Sequence, residues 1–238
     1  MKIAIIGYGK MGQLIEQIAI SRGHEITCKL KGDSTENDWK LLSKADVAIE
    51  FSEPHAAVKN IYKCFEAKVP VAVGTTGWYE HIAEVKDRCI KGQHTMMTAT
   101  NFSIGVNLFF HVNKIMAQVM ESLPEYNVRI EETHHTQKLD APSGTAISLA
   151  QGILSELSRK SEWKLKADVT AETDLAITAL RKDDVPGTHI VTYTSAVDDI
   201  EIKHQAHNRN GFAVGAVVAA EWLLNKQGYF TMNDLIGF

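Results

Sequence analysis

Apolar residues along this chain recur at two spacings, and the order in which those spacings alternate predicts the fold class. Lys2–Ile6 is a short continuous apolar run that meets glycines, the pattern of a buried strand. Met11, Leu14, Ile15, Ile18 and Ala19 follow on one face of a helix that stops at Gly23. Further strands read at Glu25–Leu30 and at residues 46–51, 69–73 and 95–100, with helices opening at Pro54 and covering 78–90. Strands that alternate with helices imply a parallel sheet with helices on its faces. A long helix over residues 105–123 puts Val106, Phe109, Phe110, Met116 and Met120 at core spacing. The alternation then changes character. Strand-like runs at 126–132, 175–181, 189–195 and 199–205 are interrupted only by a helix over 146–157 and a polar crossing over 159–172. Consecutive strands predict a mixed, mostly antiparallel sheet and hence a second domain, with a hairpin around 196–199. A last amphipathic helix begins at Phe212 and is expected to return to the first domain.

The first strand, its turn and its helix carry Gly7-Tyr8-Gly9-Lys10-Met11-Gly12, a G-x-G-x-x-G sequence. The motif alone is weak. In the strand–turn–helix context that dinucleotide binding demands, it predicts a Rossmann-type domain holding NADH or NADPH. The expected organisation is α/β: a dinucleotide-binding domain over residues 1–104, completed by a C-terminal helix over 211–238, and an α+β substrate-binding and oligomerisation domain over 105–210. The small and hydroxyl residues at later strand ends, Gly74, Thr75, Thr76 and Asn101, Phe102, Ser103, fall where parallel sheets bind ligands; plain turns would also explain them. An acid at the end of the second strand usually takes a ribose 2′-hydroxyl, and a cation there a 2′-phosphate. Here Lys29 and Lys31 stand near that point, with Asp33 just beyond. The lysines lean toward NADPH unless both are solvated surface charges.

Composition narrows the class. The chain has 238 residues, is 45% hydrophobic and 23% charged, and carries a net charge of −4. With no basic excess, nucleic-acid binding has no support. No apolar run reaches membrane-spanning length, and the first residues form a strand rather than a signal peptide. Cys28, Cys64 and Cys89 form no metal or redox spacing, which suits a reducing cytoplasm.

The densest chemistry lies between Glu132 and Ala146, reading E-T-H-H-T-Q-K-L-D-A-P-S-G-T-A. A strand leads into it and a helix leaves it, so the expectation is a loop carrying proton donors and a helix start carrying free N–H groups. Ser143, Gly144 and Thr145 supply those N–H groups, and Lys138 adds a cation, a combination that suits a carboxylate or phosphate. His134 and His135 titrate near neutrality, and either could deliver or accept a proton. Ser143 read alone is as well explained as an ordinary N-cap. Adjacent histidines at a strand end point to opposite faces, so no metal is expected there. Arg209 could clamp a carboxylate, and His204 and His207 read as sheet-surface histidines rather than ligands.

In order along the chain, these pieces resemble the 4-hydroxy-tetrahydrodipicolinate reductase (dihydrodipicolinate reductase) family. The match runs through Gly7–Gly12, residues 74–77, residues 101–107, His134-His135-x-x-Lys138-x-Asp140-Ala141-Pro142-Ser143-Gly144-Thr145-Ala146, Gly187-Thr188-His189, and 204–216. The resemblance implies an NAD(P)H-dependent reductase of a small dicarboxylate in lysine and diaminopimelate biosynthesis, usually a homotetramer built through the substrate-domain sheet. It implies His134 as general acid with Lys138 in support, and His135, Lys138, Ser143, Gly144 and Thr145 as substrate carboxylate ligands. Three departures accompany it: Tyr8 where a small residue is common, no acid after the second strand, and R-K-D-D-V-P-G over residues 181–187. Two other readings compete. A relative of aspartate or homoserine dehydrogenase shares the first domain but not the paired histidines and lysine. A nucleotide sensor predicts binding without turnover.

Overall fold

The computed structural model describes residues 1–208 and 210–238, so the clamp considered at Arg209 lies outside it. The chain divides into two compact units, Met1–Ile104 with Asn210–Phe238, and Gly105–Arg209. The first unit begins with β1 (Lys2–Ile6), α1 (Lys10–Ser21), β2 (Glu25–Leu30), α2 (Glu36–Lys40), β3 (Val47–Glu50), α3 (Pro54–Glu66), β4 (Val71–Val73), α4 (Ile82–Lys91) and β5 (Thr95–Thr98). β1 is an inner strand: β2 pairs parallel on one side of it and β3 on the other. Its side chains alternate between two cores. Ala4 and Ile6 join Ala57, Ile61, Cys64 and Phe65 of α3, while Ile3 and Ile5 meet Ile15 and Ala19 of α1. A strand covered on both faces reads as an unbroken apolar run, as KIAII does.

The second unit follows as α5 (Ile104–Met120), β6 (Asn127–His134), α6 (Gly144–Leu154), β7 (Glu162–Leu165), β8 (Asp174–Arg181), β9 (Gly187–Thr194) and β10 (Asp199–Ala206). Its five strands lie in the order β10-β9-β6-β8-β7. The sheet is mixed. β9 runs antiparallel to β6 and β10 in the longer pairings, and β8 runs parallel to β6 and β7. Only one face is covered. Val128 and Ile130 of β6 pack with Phe109, Ala117 and Met120 of α5 and with Ala146, Leu149 and Ile153 of α6. The alternate positions, Arg129 and Glu131 on β6 and Glu201, Lys203 and Gln205 on β10, are exposed. His204 lies on the inner side, stacked at 6.0 Å on the Phe109 ring, rather than on the sheet surface expected for it.

The chain then returns to the first unit with α7 (Asn210–Leu223), β11 (Gly228–Phe230) and α8 (Met232–Ile236). α7 buries Ala213, Ala216, Val217 and Ala220 in the core that Ile3 and Ile5 share with α1. Gly215 makes the close approach possible, because a Cβ there would stand 1.7 Å from the Phe102 carbonyl oxygen. The first sheet is completed in the order β11-β5-β4-β3-β1-β2, and every pairing is parallel.

Three further expectations from the pattern need correction. The polar crossing over 159–172 contains β7, an edge strand beside β8 whose four residues are too few to show a period. The C-terminal segment is not one helix, since α7 ends at Leu223 and β11 adds an edge strand against β5. β6 runs to His134, so that histidine sits on a sheet rather than on the loop.

Candidate active site

Gly7, Gly9 and Gly12 hold three different positions at the end of β1. Gly7 has φ +89°, and a Cβ on it would lie 2.1 Å from the Phe51 carbonyl oxygen. A Cβ on Gly12 would lie 2.2 Å from the Gly7 oxygen, so its absence lets α1 close on the turn. At Gly9 a Cβ would meet nothing within 4 Å. α1 starts there with no side-chain cap and no acid in its first turn. A tight turn, close helix packing and an open, uncapped helix start fit a dinucleotide pyrophosphate. Lys10 is exposed beside it.

Tyr8 organises the other side of that turn. Its hydroxyl donates to Glu16 of α1, and Lys29 pairs with the same carboxylate at 2.6 Å. Lys29 and Lys31 stand 4.9 and 5.5 Å from the Tyr8 ring centre. The Lys29 charge is thus already matched, and among the described residues Lys31 has no carboxylate partner. Glu16 also brings an acid to the corner where the sequence had shown none.

The remaining residues read as cofactor contacts carry structural work. Thr75 accepts a hydrogen bond from the Ser52 amide at 2.7 Å, and Asn101 accepts one from the Ser103 amide at 2.8 Å. Phe102 is buried against Phe51, and a Cβ on Gly74 would meet that Phe51 ring at 2.2 Å. Thr76 is the exposed member of the group.

In the second unit the strand period decides which histidine goes inward. Val128, Ile130, Glu132 and His134 alternate onto the covered face of β6. The last two are a fully buried carboxylate and a histidine only 8% exposed. His189 of β9 comes alongside, its ring edge-on to that of His134 with centroids 5.0 Å apart. One Glu132 oxygen, Oε2, lies 3.5 Å from His134 Nδ1 and 3.5 Å from His189 Nε2. The other, Oε1, accepts the Ser143 amide at 3.1 Å and the Arg181 guanidinium at 3.4 Å. Arg181 also donates to the Asp140 and Lys138 carbonyls at 2.6 and 3.3 Å, which fastens the loop to β8. Lys138 pairs with Asp140 at 2.8 Å. His135 faces elsewhere. It lines a cleft of about 320 Å³ with Thr136, Gln137 and Pro186, whose Asp183 and Asp184 oppose an anion.

Ser143 caps α6. Its Oγ accepts the Ala146 amide at 3.2 Å and touches His189 Nε2 at 3.2 Å, and its own N–H is spent on Glu132. The donors left at this helix start are the Gly144 and Thr145 amides, which take no hydrogen bond among the described residues. A Cβ on Gly144 would meet nothing within 4 Å. An anion can therefore approach closely where the helix dipole is positive.

Charge follows from this packing. Burial alone would raise the Glu132 carboxyl. Its contacts with His189, Ser143 and His134 outweigh that and bring it to about 2, so it is ionised. Burial lowers His134 first, helped by His189, Lys138 and Arg181 and opposed by Glu132, and its pKa falls to about 4. Glu132, His134 and His189 place one ligand atom each within 4.8 Å of one another, a spacing a metal ion could use. The Arg181 cation on the same carboxylate opposes a second cation there, and the arrangement suits proton handling better.

Sequence reasoning gave no role to Glu132, Arg181 or His189. Glu132 opened the motif but read as the end of a strand. His189 and Arg181 lie 55 and 47 residues beyond His134, and only the sheet brings them beside it. The Gly187-Thr188-His189 piece was the available signal for His189.

A Rossmann-type unit with an open glycine turn and a second unit with a buried histidine–carboxylate cluster are the organisation of a nicotinamide-dependent oxidoreductase, and this protein is one. The family follows from comparison. The model described as "Dihydrodipicolinate reductase, N-terminus" matches residues 1–102, and "Dihydrodipicolinate reductase, C-terminus" matches 105–236. A 4-hydroxy-tetrahydrodipicolinate reductase of Christiangramia forsetii is 50% identical over 236 residues, 99% of this chain and 98% of that one. One from Methanosarcina barkeri is 40% identical over 199 residues, 82% of this chain and 74% of that one. A dipicolinate-bound dihydrodipicolinate reductase from Paenisporosarcina sp. TG-14 shares the fold with a TM-score of 0.82 at 21% identity, over 97% of each chain. The chain belongs to the dihydrodipicolinate reductase family.

Proposed function

We propose that the chain reduces 4-hydroxy-tetrahydrodipicolinate to tetrahydrodipicolinate, with loss of water, in lysine and diaminopimelate biosynthesis. The observation that carries this reading is the buried His134 joined through Glu132 to the start of α6, where two amides are left free. A dicarboxylate needs two anion seats near a proton donor. The Gly144 and Thr145 amides offer one. Lys138, held by Asp140 in the substrate-free chain, offers a cation for the other once it exchanges partners. Ser143 serves this seat by shaping the helix start, whereas His135 lines the separate cleft beside Asp183 and Asp184. Reduced nicotinamide, when bound, supplies the hydride. His134 supplies the proton, through the nitrogen turned away from Glu132.

NADH and NADPH both fit the glycine turn. Lys31, with no carboxylate of its own, supports use of the 2′-phosphate, and Glu16 supports use of the free hydroxyl. The one-sided second sheet supports a homotetramer. Its uncovered face holds Thr133, Leu180, Thr188 and Gln205 around a depression of about 530 Å³. Three unpaired cysteines suit the cytoplasm, and no helix among the described residues is long and apolar enough to cross a membrane.

The test is oxidation of NADH and NADPH by the purified protein, with substrate formed in situ from pyruvate and aspartate semialdehyde. Turnover is expected with either nucleotide, and the ratio reports what Lys31 and Glu16 select. Folded protein that binds nucleotide without turnover would refute the reading and favour a sensor.

A further inference from the structure

Glu132 is a costly residue to bury, and its surroundings show what it is for. A carboxylate taken out of water loses its hydration, a large cost unless partners replace it. Here the partners divide between its two oxygens. Oε1 is held by the Ser143 amide and Arg181, both fixed by backbone structure. Oε2 is left to face the two histidine rings at 3.5 Å each. The anchored side fixes where the other oxygen sits, at ion-pair distance from both rings and, toward His134 Nδ1, just short of a hydrogen bond that a small turn of the ring would close.

We propose that Glu132 is the positioning residue of the proton donor: its anchored carboxylate keeps His134 Nδ1 turned inward and presents Nε2 as the nitrogen that exchanges a proton with substrate. This rests on His134 being the acid. Two further observations agree with it. Nε2 lies on the side of the ring facing Gly187, where a Cβ would come within 3.0 Å of it, so a glycine keeps that nitrogen unobstructed. Glu132 and His134 are also two apart on one strand, so their relative placement is set by the pleat rather than by a mobile loop. A carboxylate opposite Nδ1 favours the tautomer with its hydrogen on Nδ1. In the uncharged ring Nε2 then carries the lone pair, ready to be protonated and to pass that proton outward.

The expected spectroscopic signature is direct. In wild-type protein with 15N-labelled histidine, the His134 signal should be that of the Nδ1–H tautomer at neutral pH. Glu132→Gln should mix the tautomers and lower kcat by at least about tenfold, a fraction of the roughly hundred- to ten-thousand-fold that a placed acid contributes. The Gln carbonyl can still accept the Ser143 amide. Binding of pyridine-2,6-dicarboxylate and of nucleotide should therefore change by less than about threefold, while the pH–rate profile shifts. Glu132→Asp, which keeps the charge, should recover part of the loss. An Nε2–H tautomer in wild type, or Glu132→Gln with unchanged kcat and pH profile, overturns the proposal. His134→Gln run alongside separates the two ideas. If it alone abolishes the proton step, Glu132 has no positioning role; if it leaves kcat intact, the assignment of His134 as acid fails.

Discussion

A proton donor whose pKa lies near 4 is empty at neutral pH, and this makes a prediction about binding. His134 is neutral in the substrate-free chain because burial and the cations around it oppose its charge. The groups facing it are Glu132 on its own strand, His189 from β9, Arg181 from β8 and Lys138 from the loop. Charging it at pH 7 costs about 4 kcal/mol, three pKa units at 1.36 kcal/mol each. A dicarboxylate changes the balance. One carboxylate at about 5 Å, with an effective dielectric near 20, contributes about 3 kcal/mol, and a second at about 8 Å contributes about 2. The sum matches or slightly exceeds the cost, so the bound-state pKa should rise to roughly 7 to 8. Binding should therefore take up a large fraction of one proton per site. Calorimetric titration with pyridine-2,6-dicarboxylate at pH 7, in buffers of different ionisation enthalpy, reads that number from the slope. His134→Gln should bring it close to zero. Wild type that binds the ligand with no proton uptake, or a variant that keeps the uptake, would refute the electrostatic account.

Other outcomes follow from the same geometry. His134→Gln should lower kcat by about a hundred- to ten-thousand-fold in steady-state assays while nucleotide affinity by fluorescence titration is unchanged. Gly9→Ala should leave the unfolding midpoint close to wild type and weaken nucleotide binding, because its Cβ would point into open space. Gly7→Ala should lower the midpoint itself, since the backbone is at φ +89° and a carbonyl stands 2.1 Å from the new atom. Acid should destabilise the substrate-free protein in two stages, read from urea midpoints. His134 is about 4 in the fold and near 6.5 when unfolded, so stability falls as pH drops through that interval. Glu132, about 2 in the fold against 4.5, removes more between those values, and His134→Gln should abolish the upper stage while only weakening the lower, since His189 and Ser143 still hold Glu132 down.

How much of this was legible in the chain differs between its halves. In the first unit, β1 and its turn are local objects. The unbroken KIAII run, three glycines with distinct steric duties and a helix spaced at 3 and 4 residues lie within twenty positions, so pattern alone identified the Rossmann-type turn. The histidine motif was equally visible, because its reactive side chains and the start of α6 are contiguous. The environment that gives those side chains their chemistry was not visible. Glu132 reads as a solvated strand residue until the sheet buries one of its faces. His189 and Arg181 arrive from β9 and β8 through hydrogen-bond register, a relation carried by no local spacing. β7 and β11 were missed for a related reason, since short edge strands form only when a neighbouring strand offers its free backbone groups. The sequence by itself determined the element order apart from the short edge strands, the glycine turn after β1 and the candidate acid. The tertiary structure decided which histidine goes inward, which carboxylate it meets and which amides remain free. Burial and register are properties of several segments at once, whereas a spacing belongs to one.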